Sequence, residues 1–299
     1  MIDKRPVISL RNARKSYGAF ELGPISLEVE PGYIVAIVGP HGGGKSTLMG
    51  KFMDLIRPTS GEITLFGGTY PEDEVAIKRR IGFAPEHPSG HDDLSPEALR
   101  EFVSHFYPGW DQGLYEELLA DVAMRPGEKF GRLSASTQRR LTVALAMATG
   151  SELLLLDEPT AGLDHPARLR VHHDISRYMM DERYGERTVV FATRSMEEVE
   201  DVADCVALLV EGELLGPFEQ GALREGWKDF YVNWEPEEDV PGMVEFESGD
   251  PARIVSDSPR KTEEALSARN VRIVRSGTPK LDEILSHLMR RRAEDRIRT

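Results

Sequence analysis

Nine consecutive residues, Gly39-Pro40-His41-Gly42-Gly43-Gly44-Lys45-Ser46-Thr47, carry the densest chemistry in the chain. A glycine, four residues, then Gly-Lys-Ser is the spacing of a phosphate-binding loop. Glycines let successive backbone N–H groups turn inward around phosphate oxygens, and a following helix adds its positive end. Lys45 offers a point charge to β- and γ-phosphates, and the Ser46 hydroxyl is placed for Mg²⁺. Further on, Leu153-Leu154-Leu155-Leu156 runs into Asp157-Glu158-Pro159. Asp157 is a hard oxygen ligand suited to Mg²⁺. Glu158, one residue on, can orient and polarise a water for attack on a γ-phosphate. Alone, that stretch reads as a strand entering an acidic turn; beside the glycine loop, the two explain each other. Together they predict a nucleoside triphosphate site.

Such residues need elements to hold them. Tyr33 to Val38 is an apolar, β-branched run of buried-strand length ahead of the loop. Ser46 to Ile56 has apolar residues at helical spacing, and Pro58 stops it. Leu153 to Leu156 reads as a second buried strand, and ligands of parallel α/β sheets collect at such C-terminal strand ends. Val7 to Leu10 and Ile25 to Val29 read as strands, with Gly18, Gly23 and Pro24 as turn signals between them. Tyr17 falls in that turn, and a lone tyrosine there is more often packed than stacked on a ligand. Gly61 to Gly67 and Ile81 to Ala84 read as strands. Ser95 to Gly150 is helical in pattern, broken at Pro108-Gly109, Gly113 and Pro126-Gly127.

Composition narrows the class. At 299 residues with 40% hydrophobic content, the chain can form one large domain and a small one. Its apolar runs fall short of the ~18 residues a membrane span needs, and no signal-type apolar segment follows Asp3-Lys4-Arg5. A single cysteine, Cys205, leaves no internal disulfide and fits a reducing compartment. A net charge of −14 disfavours a nucleic-acid partner bound through its phosphates.

With both nucleotide motifs in place, the chain resembles the ATP-binding subunit of an ABC transporter. Gly39 to Thr47 is similar to that family's Walker A, Leu153 to Pro159 to its Walker B, and Ala161-Gly162-Leu163-Asp164 to its D-loop. Tyr17 matches the aromatic A-loop that stacks on adenine. The resemblance runs from Val7 to about Pro217. It implies an α/β P-loop NTPase of ABC type, with a RecA-like core, an antiparallel β subdomain and a helical subdomain over about 86–150. It implies ATP and Mg²⁺ as ligands, and a second ATP-binding subunit that completes each site through its signature motif. Transport then requires a separate integral membrane permease, with this chain cytoplasmic and peripheral to the inner face of the membrane. Phe106-Tyr107-Pro108-Gly109-Trp110-Asp111 resembles the branch paired with ABC-2-type membrane proteins, though a Tyr and Trp packed in a helical subdomain would read alike.

Several positions depart from the family pattern. The signature region reads Leu133-Ser134-Ala135-Ser136-Thr137, where Leu-Ser-Gly-Gly-Gln is usual. Ser134 is kept, but Cβ atoms at Ala135 and Ser136 restrict φ and close approach to a partner's γ-phosphate. Glu86 stands at the Q-loop glutamine, where a carboxylate needs Mg²⁺ or another cation beside phosphate. Arg194 stands at the switch histidine; it is always charged, reaches phosphate, and cannot relay a proton. His41 replaces a loop asparagine. Two readings stay open: a working but slowed ATPase, favoured by Lys45, Ser46, Asp157, Glu158 and Asp164, and the degenerate half of a heterodimer. A soluble ABC ATPase acting on nucleic acid or ribosomes is a third class, disfavoured by the acidic balance.

Past Pro217 the pattern changes. Phe230 to Trp234, Val244 to Glu247, Arg253 to Ser256 and Val271 to Val274 read as strands, with helices over Lys261 to Arg269 and Leu281 to Arg292. This predicts a small α+β domain over 221–299, after a nucleotide-binding domain over 1–220. The arginines at 290–292, 296 and 298 can touch anionic lipid, but the plainer reading is a solvated helix end.

Overall fold

The computed structural model describes residues 5–297 apart from 19, 182, 184 and 237, and the chain divides into two units, Met1–Pro217 and Phe218–Thr299. In the first unit, β1 (Ile8–Tyr17) and β2 (Phe20–Val29) form an antiparallel pair closed at Gly18. Both strands are longer than the sequence pattern predicts. Gly23 and Pro24 do not end β2; they lie inside it, where the register with β1 shifts between Ala13 and Lys15. Gly23 has φ 101° and its N–H donates to the Gly212 carbonyl at 2.8 Å. A Cβ there would run into the Ala13 carbonyl oxygen. The glycine signal marks a close backbone approach, not a turn. Three more strands are β3 (Ile34–Val38), β4 (Ser60–Leu65), which pairs antiparallel with β1, and β5 (Ile81–Ala84).

Between them lie helices α1 (Lys45–Phe52) and α2 (Glu74–Lys78). α1 ends well before the predicted Ile56. Asp54 takes the left-handed conformation, and the N–H groups of Leu55 and Ile56 both return to the Gly50 carbonyl. The helical subdomain contains α3 (Pro96–Phe106), α4 (Gln112–Leu118) and α5 (Ala135–Met147). Gly113 lies within α4 and is not a break. The Asp111 carboxylate accepts from Leu114 N at 2.9 Å, so the cap restarts the helix directly after Trp110.

The remaining core elements are β6 (Leu153–Asp157), α6 (His165–Met180), β7 (Thr188–Thr193), α7 (Met196–Val202), β8 (Cys205–Val210) and β9 (Glu213–Glu219). The central sheet has the order β5-β6-β7-β3-β8-β9. Its pairs β5/β6, β6/β7, β7/β3 and β3/β8 are all parallel. β3, β6 and β7 are buried at every position, as strands covered by helices on a parallel sheet must be. The register sets Val38 beside Thr193 and Asp157 beside Ala192. Four neighbouring strands therefore deliver Pro85, Glu158, Arg194 and Gly39 to one sheet edge.

The second unit begins with α8 (Gln220–Gly226) and holds β10 (Lys228–Val232), β11 (Met243–Glu247), β12 (Ala252–Ser256), α9 (Pro259–Ala268), β13 (Ile273–Gly277) and α10 (Leu281–Ile297). Its antiparallel sheet runs β11-β12-β10-β13 over a core of Phe230, Val232, Ala252, Ile254 and Leu266. β10 starts two residues earlier than the pattern predicts, and β13 two later. Arg290 and Arg291 face Glu245 and Asp257, as a solvated helix face does; residue 298 lies outside the described residues. No helix among the described residues is long and apolar enough to cross a membrane.

Candidate active site

The loop between β3 and α1 folds as its glycines require. Gly39 packs so closely on Leu209 that a Cβ would meet the carbonyl oxygen, and Gly44, at the helix N-cap, has φ 105°. Gly42 also has positive φ, with open space beside it, and Gly43 N closes the turn on the Pro40 carbonyl at 3.2 Å. Lys45 is buried. Its ammonium donates to the carbonyls of Gly39 at 2.8 Å and Pro40 at 3.0 Å, and lies 3.6 Å from Glu158 Oε1. His41 is exposed at the loop tip, and Ser46 and Thr47 begin α1.

Asp157 ends β6 with 3% exposure, and its Oδ1 has no hydrogen-bond partner. The Ser46 side chain acts on the same carboxylate and favours its charged form. Burial pushes the Asp157 carboxyl above its ordinary range, opposed by Ser46 and Lys45. An orphaned, buried carboxylate oxygen beside a serine hydroxyl at a glycine loop fits Mg²⁺, a hard oxygen-seeking cation.

Glu158 sits next along in a left-handed conformation, φ 51°, with its N–H held by the Ala192 carbonyl at 2.9 Å. Such a backbone is rare for glutamate and is found at functional turns. Burial raises its pKa, while Arg194 and Lys45 oppose the rise. Arg194 follows β7 and donates from Nε to Glu158 Oε1 at 3.0 Å; its Nη2 lies 3.6 Å from Glu86 Oε1. Two cations thus converge on a single oxygen of Glu158. Glu86, Asp157 and Glu158 feel one another electrostatically, yet among the described residues they are not gathered within reach of one shared ion.

The other sequence-predicted positions lie apart from this cluster or at its rim. Tyr17 ends β1 with 44% exposure, and the Lys15 ammonium lies 5.3 Å from its ring centre. Packing does not explain it. Ser134 caps α5: its Oγ accepts from Thr137 N at 3.1 Å and lies 2.9 Å from the Thr137 hydroxyl. Ala135 is exposed and Ser136 half-buried in the first turn. Asp164 is exposed and caps α6 through Ala167 N at 3.0 Å.

Two buried groups escaped the sequence reading. Arg139 on α5 is 9% exposed and donates to the carbonyls of Pro85 at 2.9 Å, Asp157 at 3.3 Å, and Glu86. It pins the backbone of both acidic positions from the helix that begins at Ser134. Its only sequence signal is a charge at a helical position whose neighbours Leu141, Val143 and Leu145 are core. Glu198 is 2% exposed and accepts from Thr160 Oγ1 at 2.8 Å and from Thr193 Oγ1, tying the turn after Glu158 to the end of β7. Ser195 and Glu198 have capping-box spacing, which reveals the helix start but not this bridge.

Residues 22–161 match the ABC transporter family model. The chain is 31% identical over 214 residues to the Nod factor export ATP-binding protein I of Cupriavidus metallidurans, covering 69% of each chain. It is 31% identical over 236 residues to the ABC transporter ced-7 of Caenorhabditis elegans, spanning 76% of this chain and 14% of that one. Among solved structures, a dimeric ATP-binding cassette in a post-hydrolysis state with ADP and Pi superposes with a TM-score of 0.58 at 26% identity. That match covers 71% of this chain and 98% of the other.

Proposed function

The chain belongs to the ABC transporter family of ATP-binding subunits, and from that premise we propose that it hydrolyses ATP to drive a transporter, ATP closing a dimer and hydrolysis reopening it. One observation carries the reading: a buried ammonium and two buried carboxylates meet at a glycine loop, where phosphate replaces the Lys45 contacts to loop carbonyls. The exposed ring of Tyr17 stacks on adenine, and the loop from Gly39 to Thr47, with His41 at its tip, lines the phosphates through its N–H groups, Pro40 having none. Ser46 and Asp157 would hold Mg²⁺, with Glu86 as a further oxygen donor, and the ion would supply charge neutralisation to the phosphates. Glu158 takes the proton of the attacking water. Arg194 swings from Glu158 to the γ-phosphate and opposes the charge that develops there. Until it does so, Glu158 is held by two cations and cannot act as a base.

The partners follow from surfaces. Leu55, Val75, Phe102 and Phe106 are each more than half exposed, and all four line one apolar cavity of about 950 Å³ between α2, α3 and α5. Exposed apolar patches of this kind mark protein contacts. It receives a short helix of the permease, here of ABC-2 export type, which places the chain at the cytoplasmic face of the membrane. The Tyr107 hydroxyl donates to the Ile81 carbonyl at 2.9 Å and sets Phe106 at this rim. A second reading is favoured at the signature: with the Ser134 oxygen engaged by Thr137, the site lent to the partner is weakened, as in the degenerate half of a heterodimer.

Calorimetry tests the core assignment. Lys45→Ala removes charge-assisted bonds to phosphate and is expected to weaken Mg-ATP binding by at least about tenfold. Unchanged affinity would overturn it.

A further inference from the structure

In the second unit, Glu283 and His287 lie four residues apart on α10, so their side chains share one helix face. Glu245 reaches them from β11. One ligand atom from each of the three lies within 4.8 Å of the other two. His287 is only 6% exposed, and its ring stacks on Trp227 with centres 5.4 Å apart. Its Nε2 lies 3.0 Å from Glu245 Oε2 but off the line of a hydrogen bond, and it is buried without a hydrogen-bond partner. A buried imidazole nitrogen left unsatisfied beside two carboxylates is a place where a cation would supply the missing partner. We propose that Glu245, Glu283 and His287 bind a divalent transition metal of the zinc class, which clamps α10 to the sheet of the C-terminal unit.

The surroundings suit such an ion. Arg253 donates to Glu283 Oε2 at 2.7 Å and lies 2.9 Å from Asp229 and 3.5 Å from Glu247, while Arg290 is 3.8 Å from Glu245. Four carboxylates thus face two guanidinium groups around the imidazole, and a divalent cation balances the remaining negative charge. The Arg253 bond occupies one oxygen of Glu283, as a supporting partner does for a ligating carboxylate, and leaves the second for metal. Zinc takes imidazole nitrogen and carboxylate oxygen alike, and three protein donors leave a fourth position open. Magnesium and calcium prefer all-oxygen sites with more ligands.

The test uses the full chain, stripped of metal and free of nucleotide, titrated with Zn²⁺ by calorimetry. One zinc per chain is expected, with a raised Tm, and Glu245→Gln or Glu283→Gln should weaken binding at least about tenfold. X-ray absorption of the wild-type chain with one equivalent of zinc needs no variant and should show one imidazole among oxygen ligands. Binding unaltered by both substitutions, an oxygen-only or sulfur-containing shell, or no stoichiometric binding would each overturn the proposal. ATP hydrolysis does not depend on this ion, so its failure leaves the nucleotide site untouched.

Discussion

On the proposed function, the chain carries two halves of an ATP site that differ in how they are built. The half it keeps, at the C-terminal edge of the parallel sheet, is dense, with Lys45, Asp157 and Glu158 each under 9% exposed and interlocked by charge. The half it offers a partner, at the start of α5, is exposed, and its single hydroxyl is tied to Thr137. Both halves share one helix, because Arg139, one turn after Ser134, grips the backbone of Asp157 and Glu86. A closed dimer that shifts the start of α5 would reach the buried carboxylates through that arginine. Against the family pattern, substitution in the exposed half alters the signature backbone itself, while in the buried half it spares Lys45, Ser46, Asp157 and Glu158 and falls on Glu86 and Arg194 beside them.

The most severe break of the comparison is Glu158→Gln. Amide for carboxylate preserves shape and removes the base, so turnover should fall by at least about a hundredfold, the low end of what a general base contributes. ATP binding should persist, with a dimer retained in ATP on size-exclusion chromatography. A variant releasing phosphate at the wild-type rate would show that the buried half does not carry the chemistry.

A smaller effect is expected at Arg194. Arg194→Ala should lower turnover about tenfold, or 1.4 kcal/mol of transition-state stabilisation, while Arg194→His retains part of the rate. The pH profile gives a second readout. Burial raises the Glu158 pKa and Arg194 counters it. Activity is lost as pH falls through that pKa, so removing the guanidinium should move the acid limb to higher pH. An alanine variant with unchanged rate and limb would remove Arg194 from the mechanism.

How far the sequence reveals these halves depends on whether a residue acts through its own spacing or through contacts made elsewhere. Gly39 to Thr47 and Leu153 to Glu158 are local patterns, and the buried parallel strands that carry them are equally local. Arg139 is different. Its three carbonyl partners lie 18 to 54 residues away in the chain, and only the fold reveals them. The same holds for Glu198 and for His287, whose partners Thr160 and Glu245 are distant in sequence. Gly23 and Gly113 misled for a related reason. A glycine reports that a Cβ is unwelcome or unnecessary, but not whether the cause is a turn, a neighbouring strand or a capped helix start. The local sequence alone favours packing for Tyr17, because one aromatic on a short turn has no pattern to place it; only the family resemblance sets it over adenine, and β1 extending through it leaves the ring exposed.

The mildest intervention sharpens the comparison from the exposed side. Ala135→Gly with Ser136→Gly restores bare backbone N–H groups at the first turn of α5. Ala135 is exposed and Ser136 half-buried, so removal of either Cβ leaves the core intact. Each glycine costs the helix up to about 1 kcal/mol, less at its start, where the Ser134 cap to Thr137 still holds the turn. If copies of this chain pair with each other, the glycines approach the partner's γ-phosphate more closely. The gain is about one hydrogen bond of ~1 kcal/mol, which sets the expected rise in phosphate release at about fivefold. If the physiological pair is a heterodimer, the rise appears only when the partner subunit is present. Phosphate release measured with the chain alone and with its partner separates the two cases. A double-glycine chain no faster in either would show that Ala135 and Ser136 do not limit turnover and that the exposed half works as it stands.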